Sequence, residues 1–253
     1  MTEQFISLSD VSKSFGPVRA LDHVSLSLKA GEVLGIIGPT AAGKTVLLKC
    51  MIGLIHPEKG SIRIDGCAMD DPGHQQRLSH RMGMLFQQNA LFDSLPVWEN
   101  IAFRALHEGR PRAEAYDNVC ALLPEVGLSA ATANLFPSDL SGGMQKRVGF
   151  ARAIFTQPDI LLLDNPTAGL DPILAARIEK MIQTIARARQ TTVISVTSSM
   201  THLADYYDHV AVMVDGRVQW HGPAASVPSD PNPYLRQLLS GSREGPIKTR
   251  TAA

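Results

Sequence analysis

The feature that most constrains the fold is a glycine-containing turn between an apolar run and a helical pattern. The run Val33–Ile37 has the length and composition of a buried strand, and the turn Gly38-Pro39-Thr40-Ala41-Ala42-Gly43 follows it directly. From Lys44 to Ile55 apolar residues recur at helical spacing. A strand, a tight turn and a helix in this order predict a βα unit of a mainly parallel sheet.

The same turn has the spacing of a phosphate-binding loop, because its second glycine is followed by Lys44 and Thr45. Glycines let backbone N–H groups wrap phosphate oxygens, and the positive end of the following helix points toward them. In this pattern the lysine reaches the β- and γ-phosphates and the threonine hydroxyl binds Mg²⁺. The structural alternative is an ordinary glycine-rich turn. The residues expected to line the phosphates are Gly38, Pro39, Thr40, Ala41, Ala42, Gly43, Lys44, Thr45 and Val46.

The rest of the chain predicts an α/β protein with two additions to a parallel core. Residues 5–8 and 24–28 alternate as strands do, which predicts an N-terminal antiparallel β-subdomain. Between about residues 91 and 155 strand signals vanish and helical patterns return at Trp98–Leu106, Ala113–Leu123 and Gly143–Phe155, which predicts an inserted helical subdomain. Residues 1–240 then form one domain, and the polar segment 241–253 is a mobile or partner-dependent tail.

Composition excludes several classes of protein. Lysine plus arginine and aspartate plus glutamate both total 24, so no basic excess indicates a nucleic-acid partner. The longest apolar stretches, such as Ile160–Leu163, are far shorter than the roughly 18 residues of a membrane-spanning helix. Three cysteines, Cys50, Cys67 and Cys120, lack metal-ligand spacing, and the first residues do not read as a secretion signal. These features predict a cytoplasmic protein.

Two later motifs decide which kind of nucleotide-binding protein this sequence resembles. Leu140-Ser141-Gly142-Gly143 opens a helical pattern, and the apolar run Ile160–Leu163 leads into Asp164-Asn165-Pro166-Thr167 and then Gly169-Leu170-Asp171. That order resembles the ABC ATPase family over roughly residues 4–240. The resemblance implies that ATP is bound between two ATPase subunits, so that one chain alone does not complete a site.

The resemblance also implies roles for individual residues. Ser141, Gly142 and Gly143 would face the γ-phosphate bound on the other subunit, with the helix dipole directed at the anion. Asp164 would hold Mg²⁺ through water. A solvated aspartate at a strand end is the structural alternative for that residue.

Three further positions match family motifs. Gln87 matches the glutamine that contacts the metal and the attacking water and couples the site to the membrane subunits, so Thr45, Gln87 and Asp164 form the expected metal set. Phe15 matches the aromatic residue that stacks on adenine, with a core phenylalanine as the alternative. Asp171 matches the D-loop, which communicates across the dimer.

Two catalytic residues of the family are replaced. Asn165 stands where the family has a glutamate that polarises the attacking water, and an amide does not accept that proton at neutral pH. Ser198 stands where the family has a histidine that contacts the γ-phosphate. His202, one helical turn beyond Ser198, is a candidate substitute, and an exposed helical histidine is the alternative. Ala41 and Val46 also depart from residues common in the family, with an effect expected only on fit.

Two runs, 82–95 and 97–103, are similar to the Q-loop region of ATPases that serve bacterial MCE-protein (Mla-type) lipid transporters, and residues 137–140 and 240–246 are similar to that subfamily as well. The resemblance implies an ATPase dimer on the cytoplasmic face of the inner membrane, bound to permease subunits, with an MCE-domain protein as a further partner. Its cargo would be phospholipid or a related hydrophobic molecule. Another class of ABC transporter is the alternative, and the second ATPase subunit is either identical or different.

The sequence is compatible with three functions. The first is a motor ATPase of a lipid transporter whose hydrolysis is residual or supplied by a partner. The second is a non-hydrolytic ATP-binding module that regulates a membrane complex. The third is an ABC ATPase outside transport, which is disfavoured because such proteins commonly carry coiled-coil insertions or two ATPase units in one chain.

Overall fold

The computed structural model describes residues 4–87 and 90–248. The strands in these ranges are β1 (Ile6–Phe15), β2 (Val18–Leu28), β3 (Val33–Ile37), β4 (Lys59–Ile64), β5 (Cys67–Ala68), β6 (Met82–Leu85), β7 (Ile160–Asp164), β8 (Thr192–Val196), β9 (His209–Val214) and β10 (Arg217–Pro223). The α-helices are α1 (Lys44–Met51), α2 (Pro72–His80), α3 (Val97–His107), α4 (Arg112–Leu122), α5 (Gly142–Ile154), α6 (Pro172–Arg189), α7 (Leu203–Tyr206) and α8 (Pro233–Ser240).

The chain forms two compact units. Residues 1–79 and 192–253 make the first unit, and residues 80–191 make the second. In the described ranges no helix is long and apolar enough to cross a bilayer. The predicted boundary between a domain at 1–240 and a tail at 241–253 stays a prediction.

The first unit contains an antiparallel sheet in the order β2-β1-β4-β5. Strands β1 and β2 form a long hairpin whose pairing runs from Ile6 opposite Leu28 to Phe15 opposite Val18. Apolar residues on one face, such as Leu8 and Leu26, are buried, as the alternation in the sequence predicts. The predicted antiparallel N-terminal subdomain is confirmed.

The first unit also contains the parallel strands of the predicted βα unit, with strands in the order β10-β9-β3-β8. Strand β3 is parallel to both β8 and β9, and all five of its residues are buried. A central parallel strand covered on both faces has this near-continuous apolar composition. Helix α1 ends at Met51 rather than at the predicted Ile55, because the chain leaves the helix at Ile52 and Gly53 adopts a φ of 78°.

The second unit pairs β6 with β7 in parallel, from Met82 opposite Ile160 to Leu85 opposite Leu163. Its helices α3, α4 and α5 coincide within one or two residues with the three helical patterns of the sequence. Helix α5 packs closely on β6, since a Cβ atom at Gly83 would lie 2.0 Å from the carbonyl oxygen of Ala153. A glycine is therefore required at this crossing.

The C-terminal segment folds around one side chain. Asn232 caps α8 by accepting hydrogen bonds from the N–H groups of Tyr234 and Leu235. The buried amide of Gln237 donates to the carbonyls of Ser242 and Ile247 at 3.2 and 3.0 Å, and it accepts from the N–H of Ile247 at 2.7 Å. The described part of the predicted tail is thus fastened to α8, and residues 249–253 lie outside the described residues.

Candidate functional site

The predicted phosphate loop follows β3 and lies against the backbone of β2 and β9. A Cβ atom at Gly38 would lie 2.0 Å from the carbonyl oxygen of Met213, and one at Gly43 would lie 2.1 Å from that of Ala20. Gly43 also has a φ of 93°, which side chains other than glycine rarely adopt. Both glycines of the motif are therefore required by the fold of this loop.

The side chain of Lys44 bends back over the loop. Its Nζ donates to the carbonyl oxygens of Gly38 and Pro39, both at 2.7 Å. Gly43, at the N-cap of α1, has no side chain that caps the helix, and the first turn carries no acidic residue. A helix N-terminus with an ammonium group beside it is a site for a phosphate anion.

The other residues of the loop and the start of α1 differ in exposure. Thr40 and Ala41 are exposed, Ala42 is buried, and Thr45 and Val46 are half-buried. Ala41 has a φ of 62°, a conformation that glycine adopts at lower cost. The departure at Ala41 is accommodated here by a backbone in the left-handed region.

Ser198 lies at the same edge of the sheet as the loop. The N–H of Thr197 donates to the carbonyl of Ile36 at 3.1 Å, which places the ends of the parallel strands β8 and β3 side by side. Ser198 follows Thr197 and is exposed. Ser198 therefore stands at the edge of the sheet that carries the phosphate loop, at the position that matches the family's histidine.

The predicted helical relation between Ser198 and His202 is wrong. Residues 197–202 are not helical, and α7 begins only at Leu203 because His202 adopts a φ of 59°. The His202 Nδ1 atom lies 2.9 Å from the carboxylate of Asp205. His202 thus stands at the N-cap position of α7 and pairs with Asp205 within that helix.

Phe15 ends β1 at the tip of the hairpin, and 48% of the residue's surface is exposed. The Lys13 ammonium lies 5.6 Å from the centre of its ring. The alternative of a core phenylalanine is therefore wrong. The exposed ring of Phe15 lies in the same unit as the phosphate loop. It offers a flat surface on which a nucleobase can stack.

In the second unit, Gln87 and Asp164 lie at one edge, because β6 and β7 are parallel neighbours and both residues stand at or just after the carboxyl ends of these strands. Gln87 is exposed, whereas Asp164 is only 2% exposed. Residues 88 and 89, which belong to one of the runs similar to the lipid-transport subfamily, lie outside the described residues. A buried carboxylate at a strand end is a hard oxygen ligand of the kind that Mg²⁺ prefers.

Asn165 follows directly, with a φ of 51°. Asparagine tolerates this left-handed conformation better than most residues. Its Nδ2 lies 3.4 Å from the Oδ1 atom of Asp164, so the amide presents a donor toward the carboxylate. In the family this position holds a glutamate that acts as base. Here the side chain of Asn165 is a hydrogen-bond donor and has no carboxylate that could accept a proton.

The predicted signature residues begin α5. The Ser141 Oγ accepts from the N–H of Met144 at 3.3 Å and caps the helix. Ser141 and Gly142 are exposed, and a Cβ atom at Gly142 would meet no atom within 4 Å. Gly143 is buried, and a Cβ atom there would lie 2.7 Å from a methyl group of Leu174. The outward face of this helix start is open, as a contact with another subunit requires.

Asp171 stands at the start of α6. Its Oδ1 accepts from the N–H groups of Ile173 and Leu174, both at 3.0 Å. The carboxylate is thus committed to capping α6 within its own chain. Any role of Asp171 across a dimer would use its other oxygen.

Three buried charged residues, Asp22 in β2, Lys146 in α5 and Glu179 in α6, have no predicted role in the sequence. Asp22 interrupts an apolar alternation, and that interruption is the one signal that marks it. Burial lowers the pKa of the Lys146 ammonium below its ordinary value, and nothing in the sequence indicates this.

Comparison with known proteins identifies the family. Residues 21–168 match the family model described as ABC transporter. This chain belongs to the ABC transporter family. The ABC protein is 36% identical over 254 residues to the methionine import ATP-binding protein MetN of Mesorhizobium japonicum, covering 100% of this chain and 69% of MetN. It is 34% identical over 251 residues to the intermembrane phospholipid transport system ATP-binding protein MlaF of Escherichia coli K12, covering 98% of this chain and 93% of MlaF.

Solved structures agree with this assignment. The dimeric structure of MJ0796, a bacterial ABC transporter cassette, superposes with a TM-score of 0.80 at 28% identity, over 87% of this chain and 98% of that one. A second dimeric structure of MJ0796, in a post-hydrolysis state with ADP and Pi, gives a TM-score of 0.79 at 28% identity and the same coverage. The predicted family and the ABC ATPase fold are confirmed. The chain is an ATP-binding subunit of an ABC transporter, and this role implies a second ATPase subunit and permease subunits as partners.

Proposed function

We propose that this ABC protein serves a transporter of phospholipid or a related hydrophobic molecule, and that it binds Mg-ATP far better than it hydrolyses it. The observation that carries the proposal is the contrast between Lys44, held at 2.7 Å by two loop carbonyls, and Asn165, whose amide points a donor at Asp164. The binding groups are in place, and the proton acceptor is replaced.

The binding half of the proposal rests on the phosphate loop. Backbone N–H groups of residues 38–43 and the start of α1 receive the phosphates, and the ammonium of Lys44 turns from the loop carbonyls to the β- and γ-phosphates. Phe15 supplies the surface for adenine. Thr45 in the first unit carries a hydroxyl oxygen, and Asp164 and Gln87 in the second unit carry carboxylate and amide oxygens. Such oxygen atoms are the ligands that Mg²⁺ prefers, and Mg²⁺ neutralises charge on the phosphates.

The catalytic half rests on functional-group chemistry. At neutral pH an amide accepts no proton, so Asn165 does not serve as general base for the attacking water. Ser198 donates one hydrogen bond and carries no charge, whereas a protonated histidine offers a charge-assisted one. Slow turnover follows for a homodimer. In a heterodimer, the site that holds this chain's phosphate loop would be the slow one.

The signature residues extend the proposal to a partner. Ser141 and Gly142 are exposed at the N-terminus of α5, which suits the γ-phosphate of a nucleotide held by another subunit. A partner ATPase with its own general base would then hydrolyse ATP with this chain's signature in place. Both a homodimer and a heterodimer are consistent with this arrangement.

The lipid cargo is supported by the alignment with MlaF, which spans nearly the whole of both chains. The alignment with MetN has comparable identity, so import of a small solute such as methionine is the competing function. An MCE-domain protein as a further partner belongs to the lipid proposal alone. A regulatory module that binds ATP without turnover is the second alternative. Asn165 and Ser198 would also be compatible with a subunit that binds ATP, closes on it and does not hydrolyse it.

The test is reconstitution of the subunit with its permease in proteoliposomes. Fluorescent phospholipid transfer and phosphate release are measured at saturating Mg-ATP, with Lys44→Ala as the matched variant. ATP-dependent phospholipid transfer that Lys44→Ala abolishes is the expected result. Methionine uptake without lipid transfer would assign the competing function, and ATP binding with neither transfer nor phosphate release would assign the regulatory module.

A further inference from the structure

A buried carboxylate lies beneath the hairpin that carries Phe15. Asp22 in β2 is 6% exposed. Its Oδ2 accepts from the Nε and Nη2 atoms of Arg217 at 2.7 and 2.6 Å, and its Oδ1 accepts from Nη1 of Arg19 at 3.0 Å. These hydrogen bonds, chiefly the one from Arg217, hold the pKa of the Asp22 carboxyl below its ordinary value. The carboxylate is thus covered by two guanidinium groups.

The backbone of Asp22 continues the contact to the phosphate loop. Its N–H donates to the carbonyl of Gly216 at 2.8 Å, and the N–H of Gly216 donates to the carbonyl of Ala42 at 3.2 Å. A Cβ atom at Gly216 would lie 2.9 Å from the carbonyl of Ala20, so no side chain fits between this turn and β2. Gly216 therefore joins the hairpin to the phosphate loop by one hydrogen bond on each side.

The same strand leads to the exposed ring. Val18, at the start of β2, pairs with Phe15, and Arg19 pairs with Ser14. Arg19 and Asp22 are three residues apart in β2. Their ion pair therefore links the tip of the hairpin to the buried part of the same strand. The strand that pairs with Phe15 is thereby hydrogen-bonded to the phosphate loop through the backbones of Asp22 and Gly216, all within the first unit.

We propose that Asp22, together with Arg19 and Arg217, is a positioning residue that sets the place of Phe15 relative to the phosphate loop. An ion pair with a buried carboxylate adds little net stability, because desolvation of the carboxylate offsets much of the attraction, but its hydrogen bonds require one geometry. This inference rests on the nucleotide site proposed above. His23 is a further titratable group that faces Asp22, with Nε2 3.6 Å from the Asp22 carboxylate and Nδ1 2.6 Å from that of Asp10.

The role predicts a selective loss of binding. When Asp22→Asn removes one charge, the two arginines remain solvated, because 62% and 58% of their side chains are exposed. The phosphate loop keeps its own glycines and Lys44, so the triphosphate contacts persist. Only the contribution of the base to affinity should fall.

The experiment compares Mg-ATP with inorganic tripolyphosphate by titration calorimetry on the full chain. Because stacking of one base on an aromatic ring changes affinity by roughly tenfold, Asp22→Asn should weaken ATP binding about tenfold and tripolyphosphate binding less than about twofold. Phe15→Ala should behave alike, and the double variant should be no weaker than Phe15→Ala alone. Asp230→Asn is the matched control, because Asp230 accepts from Trp220 of β10 at 2.9 Å and lies outside the network.

Each other outcome has a definite meaning. Wild-type ATP affinity in folded Asp22→Asn, or equal losses for ATP and tripolyphosphate, overturns the positioning role. Full additivity with Phe15→Ala overturns it as well. If Lys44→Ala bound both ligands as wild type does, the nucleotide site itself would be wrong. Should Asp22→Asn fail to fold, Arg19→Ala and Arg217→Lys make the same comparison from the exposed side, and Arg217→Lys should retain part of the ATP affinity.

Discussion

The phosphate loop and the segment after β7 are both short turns at the carboxyl end of a parallel strand, yet they hold their function differently. In the loop, Gly38 and Gly43 are required by backbone contacts at 2.0 and 2.1 Å, so the binding geometry is part of the fold. After β7, the expected chemistry depends on the single side chain of residue 165. Because one substitution replaces a functional group without disturbing a backbone, catalysis can be lost while binding persists.

The largest expected effect is a loss of ATP affinity when Lys44 of the phosphate loop is replaced. Lys44→Ala removes the ammonium group that donates to the carbonyls of loop residues Gly38 and Pro39. Charge-assisted contacts to phosphate are strong, so ATP affinity should fall by about a hundredfold or more. Thermal shift with and without Mg-ATP checks this, because a ligand raises the melting temperature only through its binding to the native state. An equal ATP-induced shift in wild type and variant would contradict the assignment.

The second prediction restores the catalytic side. In a verified homodimer, Asn165→Glu combined with Ser198→His should raise ATP turnover at least about tenfold, because a positioned general base is reintroduced. Phosphate release from the reconstituted complex measures the effect. Asn165→Gln is the matched control, since it lengthens the side chain without adding a base and should leave the rate unchanged.

Rapid ATP hydrolysis by the wild-type homodimer would contradict the prediction that Asn165 and Ser198 make turnover slow. In a heterodimer, the test moves to the signature. Ser141→Arg should then silence the complex, because it blocks the open start of α5 that serves the partner's site, whereas Asn165→Gln should barely change the rate.

A smaller effect separates structure from function in the second unit. Asp171→Ala removes the cap of α6, which the Oδ1 atom supplies to two N–H groups at 3.0 Å. The free energy of unfolding should fall by about 1 kcal/mol, with ATP affinity little changed. Chemical denaturation monitored by circular dichroism gives the free energy. Asp171→Ser, which still accepts a hydrogen bond, should recover most of the loss.

The smallest expected effect concerns the loop itself. Ala41 adopts a φ of 62°, and glycine relieves the cost of this conformation while losing more entropy on folding. Ala41→Gly should therefore raise the free energy of unfolding by only about 0.5 to 1 kcal/mol. ATP affinity should stay within about a factor of two, because the loop's contacts are backbone ones. A loss of stability would show that Ala41 is constrained by something other than its φ.

The sequence predicts those parts of the molecule whose signal is local. The strand, turn and helix around Gly38 to Thr45 appear where the pattern places them, because apolar runs and glycines act over a few residues. The end of α1 and the start of α7 differ from expectation, because both depend on residues in the left-handed region, Gly53 and His202. Such a conformation leaves no periodic trace in an apolar pattern.

Tertiary partners escape sequence reasoning for a different reason. Asp22 meets Arg217 across 195 residues of chain, and the geometry of their contact exists only once β2 and β10 are in place. The exposure of Phe15 likewise follows from its position at a hairpin tip. Residue identity showed that Asn165 replaces a base, but only the structure shows its amide directed at Asp164.

The hydrogen bonds between the Gln237 side chain and residues 242–247 determine where this chain tolerates truncation or fusion to another protein. Residues 242–247 close around an amide that is buried, so a chain cut after Gly241 would leave both atoms of that amide without their carbonyl and N–H partners. Each of these hydrogen bonds contributes about 0.5–1.5 kcal/mol net, so losing all three would remove a noticeable part of the stability of a folded unit. Affinity tags and fluorescent fusions should therefore begin after Lys248. A tag joined earlier would loosen α8 and mimic a functional defect that has nothing to do with ATP.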